Sequence, residues 1–254
     1  MGYPTPTWPF ALKAIDFYRF ARMANVIVDE GTIRIEEDGW SMSATDPAHV
    51  SHIQVRLPRT SFFRYERPAR REVGIDIEAL RHVLVKIVPG SEVSVGFDTQ
   101  GSDNLMLLSF GRATRKMTTL ATQDVSPPPR MTLPNSIKIY PPDMVAALKQ
   151  CEPLDTSVSL KVVAEGLEVS AGEDGNEYKD TLPATDDWEV KDPEARSMHP
   201  IDYLMSMFSC LAEIQGGVLM RRDAAVLVRL GRDYPVRLEW PNGVYLLAPR
   251  IESE

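Results

Sequence analysis

Apolar residues recur along the chain at two different spacings, which predict helices separated by strands. Between Asp16 and Val28 they follow each other at steps of three and four residues, so this stretch predicts a helix with one hydrophobic side. A second helix is predicted from about Ile77 to Val88, with Asp76 as its N-terminal cap. Each of these helices needs a surface that covers its apolar side.

Alternation of apolar and polar residues predicts strands between and after these helices. The stretch Ile33–Ala44 alternates on both sides of a turn at Glu37-Asp38-Gly39 and predicts a hairpin. Further strands are predicted at His52–Leu57, Glu92–Phe97, Asn104–Phe110 and Ala113–Leu120. Because the helices are apolar on one side only, we expect an α+β domain in which two helices lie on one face of a sheet.

The second half of the chain repeats the pattern of the first half. Landmarks recur in the same order at offsets of 124 to 127 residues. The matching pairs are Ile33–Ala44 with Val158–Ala171, Gly39 with Gly166, Leu57-Pro58 with Leu182-Pro183, and Ile75–Ile87 with His199–Leu211. This order predicts two tandem copies of one domain, and a chance similarity between two amphipathic patterns is the alternative.

A proline-rich stretch separates the two copies. Ala121–Pro134 contains three consecutive prolines, which exclude helix and ladder pairing and favour an extended conformation. We therefore predict an N-terminal extension at residues 1–9, domain 1 at 10–120, an interdomain connecting loop at 121–134 and domain 2 at 135–252. The connecting loop is either a linker only or also an exposed surface feature.

The composition is that of a globular protein with enough apolar residues for a sizeable core. Of 254 residues, 43% are hydrophobic and 25% are charged, and the pattern predicts neither a membrane span nor a signal peptide. Cys151 and Cys210 lack the spacing of a zinc site, so both are expected as reduced thiols in the core. We expect a soluble intracellular protein with no cofactor and no metal.

The negative charge of the chain lies in its second half. Residues 1–125 contain 15 Lys and Arg and 15 Asp and Glu, so the remainder contains 28 − 15 = 13 against 36 − 15 = 21. The net charge is −8. A uniformly basic nucleic-acid-binding protein has a different balance, so a chain of this kind that meets DNA must concentrate its basic residues on one face.

Four motifs stand out along the chain: Asp46–Val50 (DPAHV), Glu72–Leu80 (EVGIDIEAL), Gly111–Arg115 (GRATR) and Leu246–Glu252 (LLAPRIE). Together they resemble motifs of the proliferating cell nuclear antigen (PCNA) family of sliding clamps; the archaeal members are the closer match, and LLAPRIE is the most specific motif. The similarity runs from about Phe10 to Glu252. The resemblance implies a DNA polymerase processivity factor without catalytic residues, cytoplasmic and nucleoid-associated in an archaeon or nuclear in a eukaryote.

The resemblance also implies the architecture of the assembly. Each chain would hold two clamp domains, and three chains would close head to tail into a ring, with helices lining the hole and sheets forming the outer wall. An edge strand around Ala113–Leu120 would pair with Asn176–Leu182 of the next chain. The implied subunit interface comprises Thr114, Lys116, Met117, Thr118, Glu177, Tyr178, Lys179 and Asp180.

Basic residues on the hole-facing helices are the implied contacts with encircled double-stranded DNA, which needs no sequence readout. They are Lys13, Arg19, Arg22, Arg81, His82, Lys86 and Lys149. The fourth implied helix, His199–Glu213, has no Lys or Arg, and Asp202 and Ser209 stand where many clamps carry basic residues. Two alternatives follow: a homotrimer with a weakly charged hole, or a heterotrimer whose sister subunits supply the charge.

Partners of this family carry a short peptide, the PIP box, which inserts apolar and aromatic side chains into a pocket between the two domains. The implied partners are the clamp loader, DNA polymerase, flap endonuclease and DNA ligase. Carried over by position, the pocket comprises Thr45, His49, Val50, Val125, Pro127, Pro128, Pro129, Pro235, Leu246, Leu247, Ala248 and Pro249. Without the resemblance, Leu246 and Leu247 are ordinary core residues of a last strand.

Two other functions compete with this interpretation. An enzyme would use Asp46 with His49, or Glu78 with His82, as an acid/base or metal pair, but no Gly-rich phosphate loop or nucleophile elbow accompanies these residues. The second alternative is a ring-forming scaffold of the checkpoint type that acts away from DNA.

Overall fold

The computed structural model of the chain describes residues 8–66, 71–87, 90–98, 104–124, 127, 131–173, 175–184, 188–215, 220 and 224–250. The chain forms two compact units. Unit 1 comprises Met1–Ala44 and Gln54–Pro127, and unit 2 comprises Thr45–Ile53 and Pro128–Glu254. The change from unit 1 to unit 2 after Pro127 falls within the predicted connecting loop. The grouping of Thr45–Ile53 with unit 2 has no counterpart in the sequence pattern.

Unit 1 consists of two helices and two antiparallel sheets. The helices are α1 (Ala14–Ala24) and α2 (Ile77–Leu84), which pack against each other. The strands are β1 (Phe10–Lys13), β2 (Glu30–Glu36), β3 (Gly39–Thr45), β4 (Ser51–Pro58), β5 (Phe62–Tyr65), β6 (Arg71–Asp76), β7 (Glu92–Asp98), β8 (Leu105–Phe110) and β9 (Ala113–Thr118), with a short 3-10 helix at Arg59–Ser61. The strand orders are β5-β1-β7-β8-β9 and β4-β3-β2-β6. The first residues of β4 belong to unit 2.

Unit 2 is built in the same way. Its helices are α3 (Pro141–Cys151) and α4 (Ile201–Glu213), which also pack against each other. Its strands are β10 (Asn135–Ile139), β11 (Ser157–Val163), β12 (Gly166–Glu173), β13 (Asn176–Pro183), β14 (Arg196–Pro200), β15 (Val226–Leu230), β16 (Val236–Trp240) and β17 (Gly243–Leu247). The strand orders are β10-β15-β16-β17, which continues to the start of β4, and β13-β12-β11-β14.

The strand orders of the two units confirm the predicted duplication. The order β1-β7-β8-β9 in unit 1 corresponds to β10-β15-β16-β17 in unit 2, and β4-β3-β2-β6 corresponds to β13-β12-β11-β14. The α+β class with antiparallel sheets and two helices in each copy is therefore confirmed. The expectation of one sheet in each copy is wrong, since the strands of each unit are divided between two sheets.

The repeated landmarks meet in space at a hairpin in each unit. Gly39 opens β3 with φ +137°, and a Cβ placed there would lie 2.4 Å from the carbonyl oxygen of Leu57. Gly166 opens β12 with φ +156°, and its Cβ would lie 2.0 Å from the carbonyl oxygen of Leu182. Both sites require glycine because of the close carbonyl and the backbone conformation. Glycine and the Leu-Pro pair therefore recur together.

Several elements differ from the sequence predictions. The helix predicted at Asp16–Val28 begins at Ala14 and ends at Ala24, where Asn25 bonds to the carbonyl oxygen of Val28 with its side-chain nitrogen at 3.2 Å and turns the chain. The helix starting at Ile77 ends at Leu84, before the predicted Val88. Strands β1, β5 and β6 were not predicted, because none of these three runs alternates apolar and polar residues from end to end.

Two other local predictions are confirmed, the cap of α2 and the burial of the free cysteines. The Asp76 side chain caps α2 by accepting a hydrogen bond from the backbone N–H of Ala79 at 2.7 Å. Both cysteines are buried free thiols, and burial raises the pKa of Cys151 to about 11. Over the described residues, none of the helices has the length and apolar character needed to cross a bilayer.

Candidate functional site

The helix pair of unit 1 carries a concentration of basic side chains. Lys13, His82 and Lys86 are exposed, and Arg19, Arg22 and Arg81 are half-buried. Arg19 lies 3.7 Å from the carboxylate of Asp16 one turn earlier. Arg81 donates to the side-chain oxygen of Asn25 at 2.7 Å, so α2 is tied to the end of α1. These contacts fix the guanidinium groups of Arg19 and Arg81 on the helix pair.

The helix pair of unit 2 has a different charge. Lys149 is exposed on α3, as expected, but α4 presents Asp202, Ser206 and Glu213 at its exposed positions and has no Lys or Arg. The predicted DNA contacts are therefore concentrated on unit 1.

Two exposed edge strands carry the predicted subunit interface. Strand β9 is the last strand of its sheet, and β13 is the first strand of its own. Met117 and Tyr178 are half-buried, while Thr114, Lys116, Thr118, Glu177, Lys179 and Asp180 are exposed. The Tyr178 hydroxyl donates to Asp180 at 3.2 Å, and Lys179 lies 2.6 Å from Glu168 on β12.

The two edges have opposite charge. Next to Lys116, β9 exposes Arg115, which was not part of the predicted interface. On β13, Lys179 is neutralised by Glu168, so Glu177 and Asp180 leave that edge acidic. A basic edge and an acidic edge on one chain are complementary to each other in different copies.

A tight loop from Asp46 to Ser51 is organised around one buried carboxylate. Asp46 is 3% exposed, and its two oxygens accept the backbone N–H groups of Ala48 at 3.1 Å and Ser51 at 2.5 Å. The backbone closes the same turn, since His49 N–H donates to the Asp46 carbonyl oxygen at 2.9 Å and Asp46 N–H to that of Ser51 at 3.1 Å. His49 adopts φ 59°, which exposes its side chain at the loop tip.

Tyr203, in the first turn of α4, donates its hydroxyl at 3.0 Å to the Asp46 oxygen that also accepts the Ala48 N–H. Burial raises the pKa of the Asp46 carboxyl, but the hydrogen bonds from Ser51, Tyr203 and Ala48 outweigh burial and hold the pKa below its ordinary value. The carboxylate is therefore ionised, and both of its oxygens are occupied by hydrogen bonds that hold the loop. This role disagrees with its use as a catalytic partner of His49, whose side chain is exposed.

The chain after β17 is fastened to this loop and to β14. Ala248 N–H donates to the carbonyl oxygen of Val50 at 2.8 Å, and the ring of His199 lies 3.2 Å from the Ala248 carbonyl oxygen. Arg250 N–H donates to the carbonyl oxygen of Met198 at 2.7 Å. The Arg250 guanidinium donates to the hydroxyls of Thr156 at 2.8 Å and Ser157 at 2.7 Å. Ala248 and Arg250 of the LLAPRIE motif thus hold the end of the described chain against the loop and β14.

The predicted pocket residues fall into three groups. Thr45, His49, Val50, Pro235, Ala248 and Pro249 are exposed or half-exposed on unit 2, and we call them the loop–tail surface. Val236 pairs with Leu247, which places Pro235 next to the tail. Pro127 is an exposed residue of unit 1. Val125, Pro128 and Pro129 lie outside the described residues.

Leu246 and Leu247, which the resemblance places in the pocket, have buried side chains. They are 4% and 0% exposed, because both faces of β17 are covered within the fold. They are core residues that directly precede the half-exposed Ala248 and Pro249.

Two residues of the loop–tail region were not predicted. Tyr203 lies 157 positions from Asp46, so no sequence signal joins the two residues. Tyr234 is 58% exposed next to Pro235, and an aromatic residue in the turn Asp233-Tyr234-Pro235 was the available signal.

Unit 2 is expected to lose stability as the pH falls from about 6.5 to about 4. Burial lowers the pKa of His199 to about 4, although its contact with the Ala248 carbonyl oxygen acts in the opposite direction. Between these pH values the unfolded chain binds a proton that the folded chain excludes, so stability decreases as pH decreases. We expect a loss of about 2 kcal/mol between pH 7 and pH 5, measured by urea unfolding.

The matched variants for this measurement are His199→Gln and His49→Gln. The first should flatten the pH dependence, and the second should leave it unchanged because His49 is exposed. Burial also lowers the pKa of His52, so part of the dependence should remain in His199→Gln. An unchanged pH dependence in His199→Gln would contradict this assignment.

Within the described residues, no group of three or more His, Cys, Asp or Glu side chains is placed to hold a metal ion.

Comparison with known proteins identifies a consistent set of relatives. The family model for the N-terminal domain of proliferating cell nuclear antigen matches residues 18–125. The DNA polymerase sliding clamp of Methanococcus maripaludis strain C7 is 28% identical over 253 residues, which cover 94% of this chain and 96% of the relative. The DNA polymerase sliding clamp of Thermoplasma acidophilum is 24% identical, with 91% of this chain and 94% of the relative covered.

Solved structures with the same fold extend over nearly the whole chain. The PCNA of A. fulgidus, solved with the C-terminal region of FEN-1 bound, has a TM-score of 0.83 at 23% identity and covers 96% of this chain and 99% of its own. The PCNA2–PCNA3 complex of Sulfolobus tokodaii has a TM-score of 0.76 at 20% identity, with 96% and 99% covered. The similarity therefore includes both units.

Proposed function

We propose that the chain belongs to the PCNA family of sliding clamps and is a DNA polymerase processivity factor that encircles duplex DNA and tethers replication and repair enzymes. The comparisons agree with the resemblance carried by the DPAHV, EVGIDIEAL, GRATR and LLAPRIE motifs. The fold of both units agrees with this family over almost the whole chain.

The pair of oppositely charged edge strands is the observation that carries the proposal. Strand β9 exposes Arg115 and Lys116, and β13 exposes Glu177 and Asp180. Contact between β9 of one copy and β13 of the next is heterologous, and a heterologous contact that closes on itself generates a ring. Pairing also removes two bare strand edges, each of which would otherwise be open to aggregation.

We propose a ring of three identical copies. Both halves of the complementary contact are present on one chain, so the chain needs no sister subunit to supply the opposite edge. The Sulfolobus tokodaii relative was solved as a complex of PCNA2 with PCNA3, which keeps the heterotrimer as the alternative to be tested. Light scattering on this chain alone decides between them, since a stable trimer at micromolar concentration excludes an obligate heterotrimer.

Encirclement accounts for the weak positive charge of the helices. A closed ring stays on DNA by topology, so it needs only screened phosphate contacts that permit sliding. The exposed Lys13, His82 and Lys86 of unit 1, with Lys149 on unit 2, suit such contacts. The acidic residues of α4 weaken them further and favour movement along the duplex.

The loop–tail surface is the proposed docking site for PIP-box peptides. It combines half-exposed Val50, Ala248 and Pro249 with the exposed aromatic ring of Tyr234. Apolar side chains around a fixed backbone suit an apolar plug carried by a short peptide. The A. fulgidus PCNA was solved with the C-terminal region of FEN-1 bound. Clamp loader, polymerase, flap endonuclease and ligase are the partners we propose for this chain.

Loading onto circular DNA tests the function. The chain is loaded onto nicked plasmid by a clamp loader, unbound protein is removed, and half of the sample is linearised. We expect retention on the circular plasmid and release from the linear one, because a ring slides off a free end. Equal retention on both forms would contradict encirclement. Failure to load at all would favour a scaffold that acts away from DNA.

A further inference from the structure

The hydrogen bond from Tyr203 to Asp46 joins the first turn of α4 to the loop that carries Thr45, His49 and Val50. The hydroxyl oxygen lies 3.0 Å from a carboxylate oxygen that also accepts the N–H of Ala48. The other oxygen accepts the N–H of Ser51. Tyr203 therefore contacts the group on which the loop closes.

The hydrogen bond from Tyr203 matters because its acceptor, the Asp46 carboxylate, is both buried and charged. Asp46 is 3% exposed, and a buried carboxylate requires donors because it has lost its hydration. Hydrogen bonds to a charged group are stronger than neutral ones. If the hydroxyl of Tyr203 is removed, the carboxylate keeps its backbone donors within the loop but loses the donor that α4 supplies.

The loop also sets the position of the tail. The carbonyl oxygen of Val50 accepts the N–H of Ala248 at 2.8 Å, and Val50 follows His49, whose φ is 59°. A residue in this left-handed conformation is held by its surroundings and relaxes readily when a constraint is lost. A shift of the loop therefore moves the Val50 carbonyl away from Ala248 and changes the surface made by both segments.

We propose that Tyr203 is a positioning residue for partner binding, which holds the Asp46–Ser51 loop and, through Val50, the tail in the conformation that accepts a partner peptide. The partner-binding part rests on the proposed function. Tyr203 does not need to touch the peptide. Its neighbour Asp202 is exposed on the same helix turn, so this bond connects a helix of the proposed DNA-facing layer to the partner-binding loop.

The test compares Tyr203→Phe with the unsubstituted chain by two readouts. Amide hydrogen exchange at Ala48 and Ser51 should accelerate about tenfold, because their acceptor is less firmly held. Binding of a fluorescent synthetic PIP-box peptide, measured by anisotropy, should weaken about tenfold. Light scattering should show the same oligomer in both proteins, because Tyr203 lies outside the edge strands.

Tyr140→Phe is the matched control, since it removes the same hydroxyl from an exposed tyrosine of unit 2 just before α3. It should change neither readout. Asp46→Asn completes a double-mutant cycle with Tyr203→Phe, and the two effects on peptide affinity should be non-additive because the residues share one bond. Additive effects, or an unchanged affinity in Tyr203→Phe, would overturn the proposal.

The two readouts separate this inference from the proposed function. If the unsubstituted chain does not bind the peptide, the docking proposal fails, while exchange at Ala48 and Ser51 still shows whether Tyr203 holds the loop. If exchange accelerates and peptide affinity is unchanged, the loop is held by Tyr203 but partner binding does not depend on it, and the inference is wrong.

Discussion

The Arg115→Glu, Lys116→Glu double variant is expected to be a monomer under conditions in which the unsubstituted chain is a trimer. Under the proposed function, these exposed β9 residues meet the acidic β13 strand of the next copy. Like charges placed opposite each other across an interface cost several kcal/mol, which corresponds to a loss of about 100-fold or more in association. Size-exclusion chromatography with light scattering measures the mass, and retention on circular plasmid should fall to the level seen on linear DNA.

A charge-swapped variant makes this result specific. Adding Glu177→Lys and Asp180→Lys to the same chain should restore the trimer, because the two edges become complementary again with exchanged signs. Lys191→Glu is the matched control, as it reverses the charge of an exposed residue of unit 2 away from both edge strands. A trimer in the β9 variant, or a monomer in the charge-swapped chain, would show that β9 does not meet β13. A monomeric unsubstituted chain would instead favour the heterotrimer.

The Val50→Asp variant is expected to lose partner-peptide binding by about 30-fold or more. Val50 is half-exposed on the loop–tail surface, so the free chain can hydrate a carboxylate there. An apolar peptide side chain that docks against it would strip this water without offering a hydrogen bond, which costs about 2 kcal/mol or more. The measurement is the dissociation constant of a fluorescent PIP-box peptide.

Val145→Asp is the control for this substitution. It introduces the same carboxylate at a half-exposed valine of unit 2, but on α3 rather than on the loop–tail surface. Its peptide affinity should equal that of the unsubstituted chain, and both variants should remain trimeric. If Val50→Asp binds the peptide as tightly as Val145→Asp does, the peptide docks elsewhere.

Sequence predicted the duplicated fold because the constraint is local and repeated. Gly39 lies against the carbonyl oxygen of Leu57, and Gly166 lies against that of Leu182. Neither position has room for a Cβ, so each requires glycine. Each copy of the domain must meet this requirement by itself, so the residues recur with similar spacing. The capping role of Asp76 could be predicted for a related reason, because its bond to Ala79 joins residues only three positions apart.

The sequence did not reveal that Leu246 and Leu247 are buried, because the burial of a strand depends on the elements that pack against it. Leu246 and Leu247 alternate with no polar residue, a pattern shared by an exposed docking wall and by a strand covered on both faces. The packing of β17 within unit 2 decides between the two, and it places both side chains in the core. The accessible surface lies one and two residues later, at Ala248 and Pro249.

The amino-acid pattern alone determined the two copies, the α+β class, the resemblance to sliding clamps and the location of the basic helices. These features depend on periodicity, on steric requirements within short stretches and on motifs contiguous in the chain. Tertiary structure alone decided that Thr45–Ile53 groups with unit 2 and that Tyr203 reaches Asp46. Each of these joins residues far apart in the chain, and such pairings arise only when strands and helices pack around a common core.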